Sequence, residues 1–413
     1  MKLAVVGAGS TYTPELVSGL MREQARIGVR ELVLHDIDRE RREVVGGLAA
    51  RMLERQGFAG ALDITGDLDL ALDGADVVLI QIRVGGQTAR LRDETIPAAC
   101  GCVGQETTGA GGLGKAMRTV PVVLEIAQRA RELASSEAWI VDFTNPVGIV
   151  TRALLDHGHR AIGLCNVAIG FQRRFAGWLG VEPARVVVDQ VGLNHLTWVR
   201  RVLLDGDDVL PGLLAEHGDE LAEEVELPRR LLDELGAAPS YYLRYFYAHD
   251  AVLREQLDGE PRAAVVQEIE RNLLDLYADP TVDERPDLLM QRGGAYYSEA
   301  ALGLISSLTT GDGAVHEVDM RNYGTLEGLA DDDVVEVPAR VRRDGPEPLP
   351  QAPLAPELLG LVQHVAAYER LTVRAALSRD PVDARKALLA HPLIGQVELV
   401  DGLLDRLVAE AIH

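Results

Sequence analysis

Short apolar runs alternate with amphipathic stretches through the first third of the chain, the pattern of a parallel sheet wrapped by helices. Residues 3–6 form a compact apolar run that predicts a buried strand, and Gly7, Ala8, Gly9 and Ser10 follow at once. Pro14 predicts a helix start there, because its missing N–H costs nothing in a first turn. A second strand is predicted at 32–34, ending in His35 and Asp36, and a helix over 39–56. Further buried strands are predicted at 77–82, 140–143 and 162–164, each running into polar or glycine-rich sequence. Beyond Val186 the texture changes. Residues 186–191 and 197–204 read as strands, 211–290 as charged helix, 334–337 as a strand, 346–356 as a proline-rich connector, and the remainder as helix. The fold class is therefore α/β: an N-terminal Rossmann-like doubly wound parallel sheet packed on a mixed, mostly helical α+β C-terminal lobe. The boundary is placed after residue 195, giving a dinucleotide-binding domain (1–195) and a substrate and oligomerisation domain (196–413).

Glycine between a strand and a helix lets a pyrophosphate approach backbone N–H groups at the helix N-terminus. Gly7 and Gly9 stand in that position, and Ser10 and Thr11 belong to the same turn. Asp36 ends the next strand, where a carboxylate would bind a ribose diol and favour NAD over NADP. Tyr12 occupies the place of the third glycine of the fingerprint, and a GxG pair also serves purely structural turns.

Ligands of open parallel sheets bind beyond the carboxyl ends of the strands. Those ends carry Arg83, Gly85 and Gly86; Thr144, Asn145 and Pro146; and Cys165 with Asn166. The glycine-rich segment 101–114 adds Gln105, Glu106, Thr107 and Thr108 and reads as a flexible polar loop. Thr144 or Asn145 alone would suit a helix cap. Together these positions suit a dinucleotide site facing a polar substrate. Cys165 and His195 each end an apolar run. Either alone is ordinary for a buried core, whereas as a metal pair they leave coordination positions open for substrate oxygens. Cys100 and Cys102 read as packing residues.

Charge narrows the partners. Lys and Arg number 41 against 64 Asp and Glu, a net charge of −23. Such a surface argues against nucleic acid and requires a local arginine cluster for any anionic substrate. No apolar run reaches the roughly 18 residues of a membrane span, and the first residues lack a secretory pattern. Three cysteines are too few for a disulfide framework. A soluble cytoplasmic protein is expected, without a membrane partner.

Longer strings then stand out in order: Gly-Ala-Gly-Ser-Thr-Tyr-Thr-Pro-Glu-Leu (7–16), Asp-Ile-Asp (36–38), Gly-Gln-Glu-Thr-Thr-Gly (104–109) and Phe-Thr-Asn-Pro (143–146). They continue with Gly-Leu-Cys-Asn-Val (163–167), Gly-Leu-Asn-His (192–195), Tyr-Leu-Arg-Tyr (242–245), Arg-Gly-Gly-Ala-Tyr-Tyr-Ser (292–298) and His-Pro-Leu (391–393). Through these strings the chain resembles glycoside hydrolase family 4, in its 6-phospho-β-glucosidase branch, along nearly its whole length. The resemblance implies a mechanism outside the two-carboxylate scheme. NAD+ oxidises the sugar at C3, and a divalent metal, typically manganese, polarises the ketone. A tyrosine removes the C2 proton, the aglycone is eliminated, water adds, and the hydride returns.

Residue by residue, the resemblance makes Cys165 and His195 the metal ligands and Tyr242 the base, a task a tyrosine can perform if nearby positive charge favours its phenolate. Without it, Tyr241, Tyr242, Tyr245 and Tyr247 would read as rings packing along a helix. Asn145 and Asn166 match substrate-contacting positions; Asn166 cannot protonate a leaving group, which points to β-glycosides. Arg83 falls to both cofactor and substrate, and Arg83, Arg90 and Arg292 are the candidates for a sugar 6-phosphate. Val84 and Ala168 replace prolines usual in the family, beside the expected cleft. Relatives form dimers or tetramers, so a homo-oligomer is expected. The rival readings are a member acting on unphosphorylated or α-linked sugars, a plain NAD-dependent hydroxy-acid dehydrogenase, and a non-enzymatic NAD sensor.

Overall fold

The computed structural model describes residues 1–293 and 296–408. Gly294 and Ala295 of the string 292–298, and the end of the expected C-terminal helix (409–413), lie outside the described residues. The apolar runs become strands β1 (Lys2–Val6), β2 (Glu31–His35), β3 (Ala61–Thr65), β4 (Val77–Ile80), β5 (Trp139–Asp142) and β6 (Ala161–Gly163). All six pair in parallel in the spatial order β3-β2-β1-β4-β5-β6. Every residue of β4 and β5 is buried, as the absence of alternation requires of strands covered on both faces. The order reverses between β1 and β4, so the crevice for a ligand opens at their carboxyl ends.

The sheet does not stop at β6. It continues through β7 (Val186–Leu193), β8 (Leu196–Leu204), β9 (Asp207–Asp208), β10 (Ala238–Pro239), β11 (Val315–Arg321), β12 (Val334–Arg342) and β13 (Gly345–Pro348). β11 joins β6 antiparallel, with Asp319 opposite Gly163, and β12 joins β7 with Glu336 opposite Gly192. β7 and β8 form a long antiparallel hairpin. A division after residue 195 falls inside the turn of that hairpin.

Three sequence expectations change. β3 was not predicted: it is an edge strand whose residues are at most partly buried, and only Leu62 and Ile64 mark its apolar side. β11 was also missed, because the buried Asp319 interrupts its apolar pattern. The proline-rich connector begins as a strand, β13, pairing β12. The segment 101–114 departs further from expectation. From Gly109 it is the start of a 25-residue helix, Gly109–Leu133, and almost wholly buried. A Cβ at Gly111 would lie 2.4 Å from the carbonyl oxygens of Asp93 and Gln105, and one at Gly112 2.8 Å from the Thr107 backbone. These glycines permit close packing of a helix rather than mobility. Among the described residues no helix is long and apolar enough to cross a membrane.

The junction of the parallel and antiparallel parts leaves no room at Gly163, where a Cβ would meet Thr151 Oγ1 at 2.2 Å and Asp319 Cβ at 2.7 Å. Gly163→Ala should therefore cost roughly 1–3 kcal/mol through overpacking. Urea unfolding measures this, and an unchanged midpoint would contradict the tightness of the joint.

Candidate active site

The glycine turn forms where β1 meets the helix Thr13–Ile27. Gly7 has φ +92°, and the N–H groups of Gly7 and Ala8 both donate to the His35 carbonyl at 2.9 Å. Gly9 lies against Asp36: its N–H donates to Asp36 Oδ2 at 2.8 Å, and a Cβ there would stand 2.7 Å from that oxygen. Asp36 Oδ1 accepts from the N–H of Asp38 at 2.9 Å. Next to it Ile37 is 88% exposed, an apolar surface beside the acid expected to meet a ribose. Ser10 is half-buried in this turn. Thr11 is fully buried, its carbonyl accepts from the Tyr277 hydroxyl at 2.8 Å, and its own hydroxyl has no hydrogen-bond partner. Tyr12, where a third glycine was missed, precedes the helix and turns its ring toward the cleft, 4.1 Å beneath the Arg292 guanidinium. A turn that excludes side chains at Gly7 and Gly9 and carries an acid at the end of β2 fits a dinucleotide.

Beside this turn lies a cleft of about 730 Å³, within the usual range for small-ligand sites. Cys165, His195, Tyr242, Asn145, Asn166, Arg83, Arg90 and Arg292 all line it. Cys165 follows β6 at the start of the helix Val167–Leu179, where the N–H groups of Asn166 and Val167 bond its sulfur. Burial, then the nearby Glu336 and Asp319 carboxylates, nevertheless push the thiol well above its usual value. His195 sits in the β7–β8 turn with φ +64°, a left-handed conformation uncommon for a side chain of this size. Asn194 anchors the turn by donating to Glu336 Oε2 at 2.9 Å. Burial lowers the imidazole to about 3, so His195 is neutral near pH 7 and suited to bind a metal. Its Nδ1 lies 2.8 Å from Thr107 Oγ1.

The ring of Tyr242 stacks on His195 with centroids 3.6 Å apart and planes inclined by 8°. It also packs near Tyr241 and Tyr245, so the ring cluster expected from spacing exists together with the cleft position. The expected preference for phenolate is not met by the protein's own charges. Desolvation, with Cys165, Tyr245 and Glu106 adding, pushes the phenol well above its usual range, and Arg90 offsets only part. Positive charge near Tyr242 beyond that of Arg90 would have to come with a bound cation.

Three cations converge on one carboxylate. Glu106 binds Arg83, accepts from Lys115 Nζ at 2.5 Å, and lies 3.2 Å from Arg90 Nε. Burial alone would raise Glu106, but Arg83, Lys115 and Arg90 hold it well below the usual carboxylate range. Lys115 is pushed down to about 7, by burial first and then by Arg83. Arg292 is held separately by Glu270, which also accepts from Gln87 and faces Arg41. Arg90 Nε also donates to Glu94 Oε1 at 2.7 Å, so the arginines line one cleft but hang from three carboxylates, Glu106, Glu94 and Glu270.

Asn145 Oδ1 is buried without a partner, an acceptor left for a ligand or cation. Thr144 does not cap a helix; its hydroxyl accepts from the Ile82 N–H at 3.2 Å and ties the ends of β4 and β5 together. Among the described residues no group of three or more His, Cys, Asp or Glu could hold a metal. Cys165 and His195 fit a cation that completes its shell with ligand oxygens. Sequence reasoning missed Glu270, which no motif marks, and Lys115, whose lone charge in the apolar run 109–117 was a usable signal.

Residues 2–181 match the model described as family 4 glycosyl hydrolase, and residues 190–394 its C-terminal domain. The chain is 38% identical over 423 residues to a Bacillus subtilis protein named "Probable 6-phospho-beta-glucosidase", covering 99% of this chain and 96% of that one. It is 37% identical to the 6-phospho-beta-glucosidase BglT of Thermotoga maritima over 413 residues, 99% of this chain and 98% of the other. A solved structure of the Thermotoga maritima 6-phospho-beta glucosidase with manganese, NAD+ and glucose-6-phosphate superposes with a TM-score of 0.92 at 35% identity, over 99% of this chain and 98% of that one.

The contact of Gly9 with Asp36 yields a test. Gly9→Ala should weaken NAD+ binding by at least about tenfold, an energy of roughly 1.4 kcal/mol, measured by calorimetry. Retention of full affinity would detach this turn from the cofactor.

Proposed function

The chain belongs to glycosyl hydrolase family 4, and from that premise we propose that it hydrolyses 6-phospho-β-glucosides with NAD+ and a divalent cation, probe metal Mn2+, as cofactors. The single observation that carries the reading is the shared cleft: Cys165, His195, Tyr242 and three arginines face one space beside the glycine turn. When bound, NAD+ would take a hydride from C3 of the sugar and give it back after water has added, and the cation would polarise the C3 carbonyl and so acidify C2–H.

The chain's own residues do the rest. Cys165 and His195 hold the cation, and Asn145 and Asn166 contact the sugar hydroxyls beside it. Tyr242 Oη takes the C2 proton, its ring fixed by the stack on His195. The electron pair left at C2 forms the C1–C2 double bond as the C1–O bond to the aglycone breaks; water then adds and the proton returns to C2. Asn166 carries no acidic proton, so the leaving oxygen receives little help, and aryl β-glycosides, whose aglycones leave readily, are the favoured substrates. Arg83, Arg90 and Arg292 take the 6-phosphate. Their positive charge is kept local by Glu106 and Glu270 within a chain of net charge −23. Asp36 and the turn from Gly7 to Thr11 bind the cofactor, with Arg83 at their border.

The N-terminal part supplies cofactor and metal ligands, while the segment after residue 195 supplies Tyr242, Arg292 and the contacts of a cytoplasmic homo-oligomer. Steady release of NADH from substrate would instead mark a dehydrogenase.

The central test is hydrolysis of p-nitrophenyl β-glucoside 6-phosphate with NAD+ and Mn2+ omitted in turn; both omissions should abolish turnover. In deuterated water the product should carry deuterium at C2, and its absence there would exclude elimination. Arg292→Ala should raise KM for the phosphorylated substrate at least about tenfold, the loss of one charged hydrogen-bonding partner. KM for the unphosphorylated analogue should change little. Equal effects on both substrates would remove Arg292 from the phosphate site.

A further inference from the structure

His195 has two ring nitrogens, and a metal can take only the one without a hydrogen. The loop before the helix Gly109–Leu133 decides which one that is. The N–H of Thr107 donates to the side-chain oxygen of Gln105, which identifies that end of the amide as oxygen rather than nitrogen. The same oxygen lies 2.6 Å from Thr107 Oγ1. Two oxygens at that separation share one hydrogen, and only the hydroxyl has one to give. Thr107 Oγ1 then keeps only lone pairs for His195 Nδ1, 2.8 Å away. The hydrogen between those two atoms must belong to the imidazole.

We propose that Thr107 is a positioning residue for the metal centre: its hydroxyl, oriented by Gln105, accepts the Nδ1–H of His195 and leaves Nε2 as a bare lone pair for the cation. Two further contacts hold this geometry. Glu106, between the two relay residues, is fixed by Arg83, Arg90 and Lys115, so the loop is anchored on its other side. Tyr242 covers one ring face of His195, so the imidazole cannot turn over to exchange its nitrogens without displacing the tyrosine. The relay thereby ties the metal ligand to the same three-residue loop that gathers the arginines.

The inference rests on the reading of Cys165 and His195 as metal ligands, and the experiment separates the two. Mn2+ is titrated into the NAD+-loaded enzyme without sugar, and free Mn2+ is read by electron paramagnetic resonance. Thr107→Val should raise the Mn2+ dissociation constant about ten- to a hundredfold, the usual effect of losing an outer-sphere partner. Thr107→Ser should stay close to wild type, and NAD+ affinity should hold in both. Wild-type Mn2+ affinity in Thr107→Val overturns the proposal. Equal Mn2+ affinity in wild type and His195→Gln overturns the metal site itself. If Thr107→Val does not fold, nitrogen-15 spectra of the wild-type histidines decide, the His195 signal being identified by its loss in His195→Gln. A hydrogen on Nδ1 upholds the relay, and a hydrogen on Nε2 overturns it.

Discussion

A buried carboxylate surrounded by three cations is the constraint on which the cleft depends. Glu106 faces Arg83, Arg90 and Lys115 from a buried position in the cleft wall. Removing one partner from a buried charge pair commonly costs about 3–5 kcal/mol, because the other charge is left without water or counter-ion. Here one acid meets three bases, and among the described residues only Arg90 has a second acidic partner, Glu94, so the loop carrying Glu106 has little freedom to move. That loop also carries Gln105 and Thr107, and through Thr107 it reaches His195. An acidic protein can present positive charge to an anion only by concentrating it in this way. The cluster that gathers Arg83 and Arg90 is therefore also the support of His195.

The sheet delivers the remaining parts. Cys165 arrives at the end of a parallel strand and His195 in the turn of an antiparallel hairpin, and they line one cleft because β11 and β12 bridge the two regions. The bridging residues are unusual for a sheet interior. Asp319 and Glu336 are buried opposite Gly163 and Gly192, and Asn194 donates to both. Burial raises both carboxyls, Glu336 to about 7. The missing side chain of Gly163 makes space for Asp319, that of Gly192 lets the Leu196 backbone close the hairpin, and the acids hold the turn that presents His195. Glycine at these positions is thus part of the site's construction.

Much of this was legible in the sequence, for identifiable reasons. The parallel strands announced themselves as uninterrupted apolar runs, and the GxG turn with Asp36 as strand, turn and acid in order. The resemblance carried by the strings around Cys165, His195 and Tyr242 implied one shared site, and all three line one cleft. The glycines at 109–114 were misread as mobile because composition does not distinguish a glycine that bends from one that lets a neighbour approach. β11 escaped because a buried acid breaks the apolar pattern, and β3 because an edge strand hides too little surface. The charge environment of Tyr242 ran opposite to expectation, since desolvation is a property of the assembled cleft and not of any string. Glu270 lies in a helix with no motif, and its role exists only through partners distant in the chain, Arg292 and Arg41.

The single continuous sheet has a consequence for how such a molecule can breathe. In two-lobed enzymes with separate sheets, substrates often enter as the lobes swing about a hinge. Here strands from both parts pair across β6, β11, β12 and β7, so a swing of that kind would have to break the buried joints of Asp319 with Gly163 and of Glu336 with Gly192. Entry and departure must be governed by the segments at the cleft's rim, and the pace of product escape becomes a property of surface loops and helices while the floor stays still.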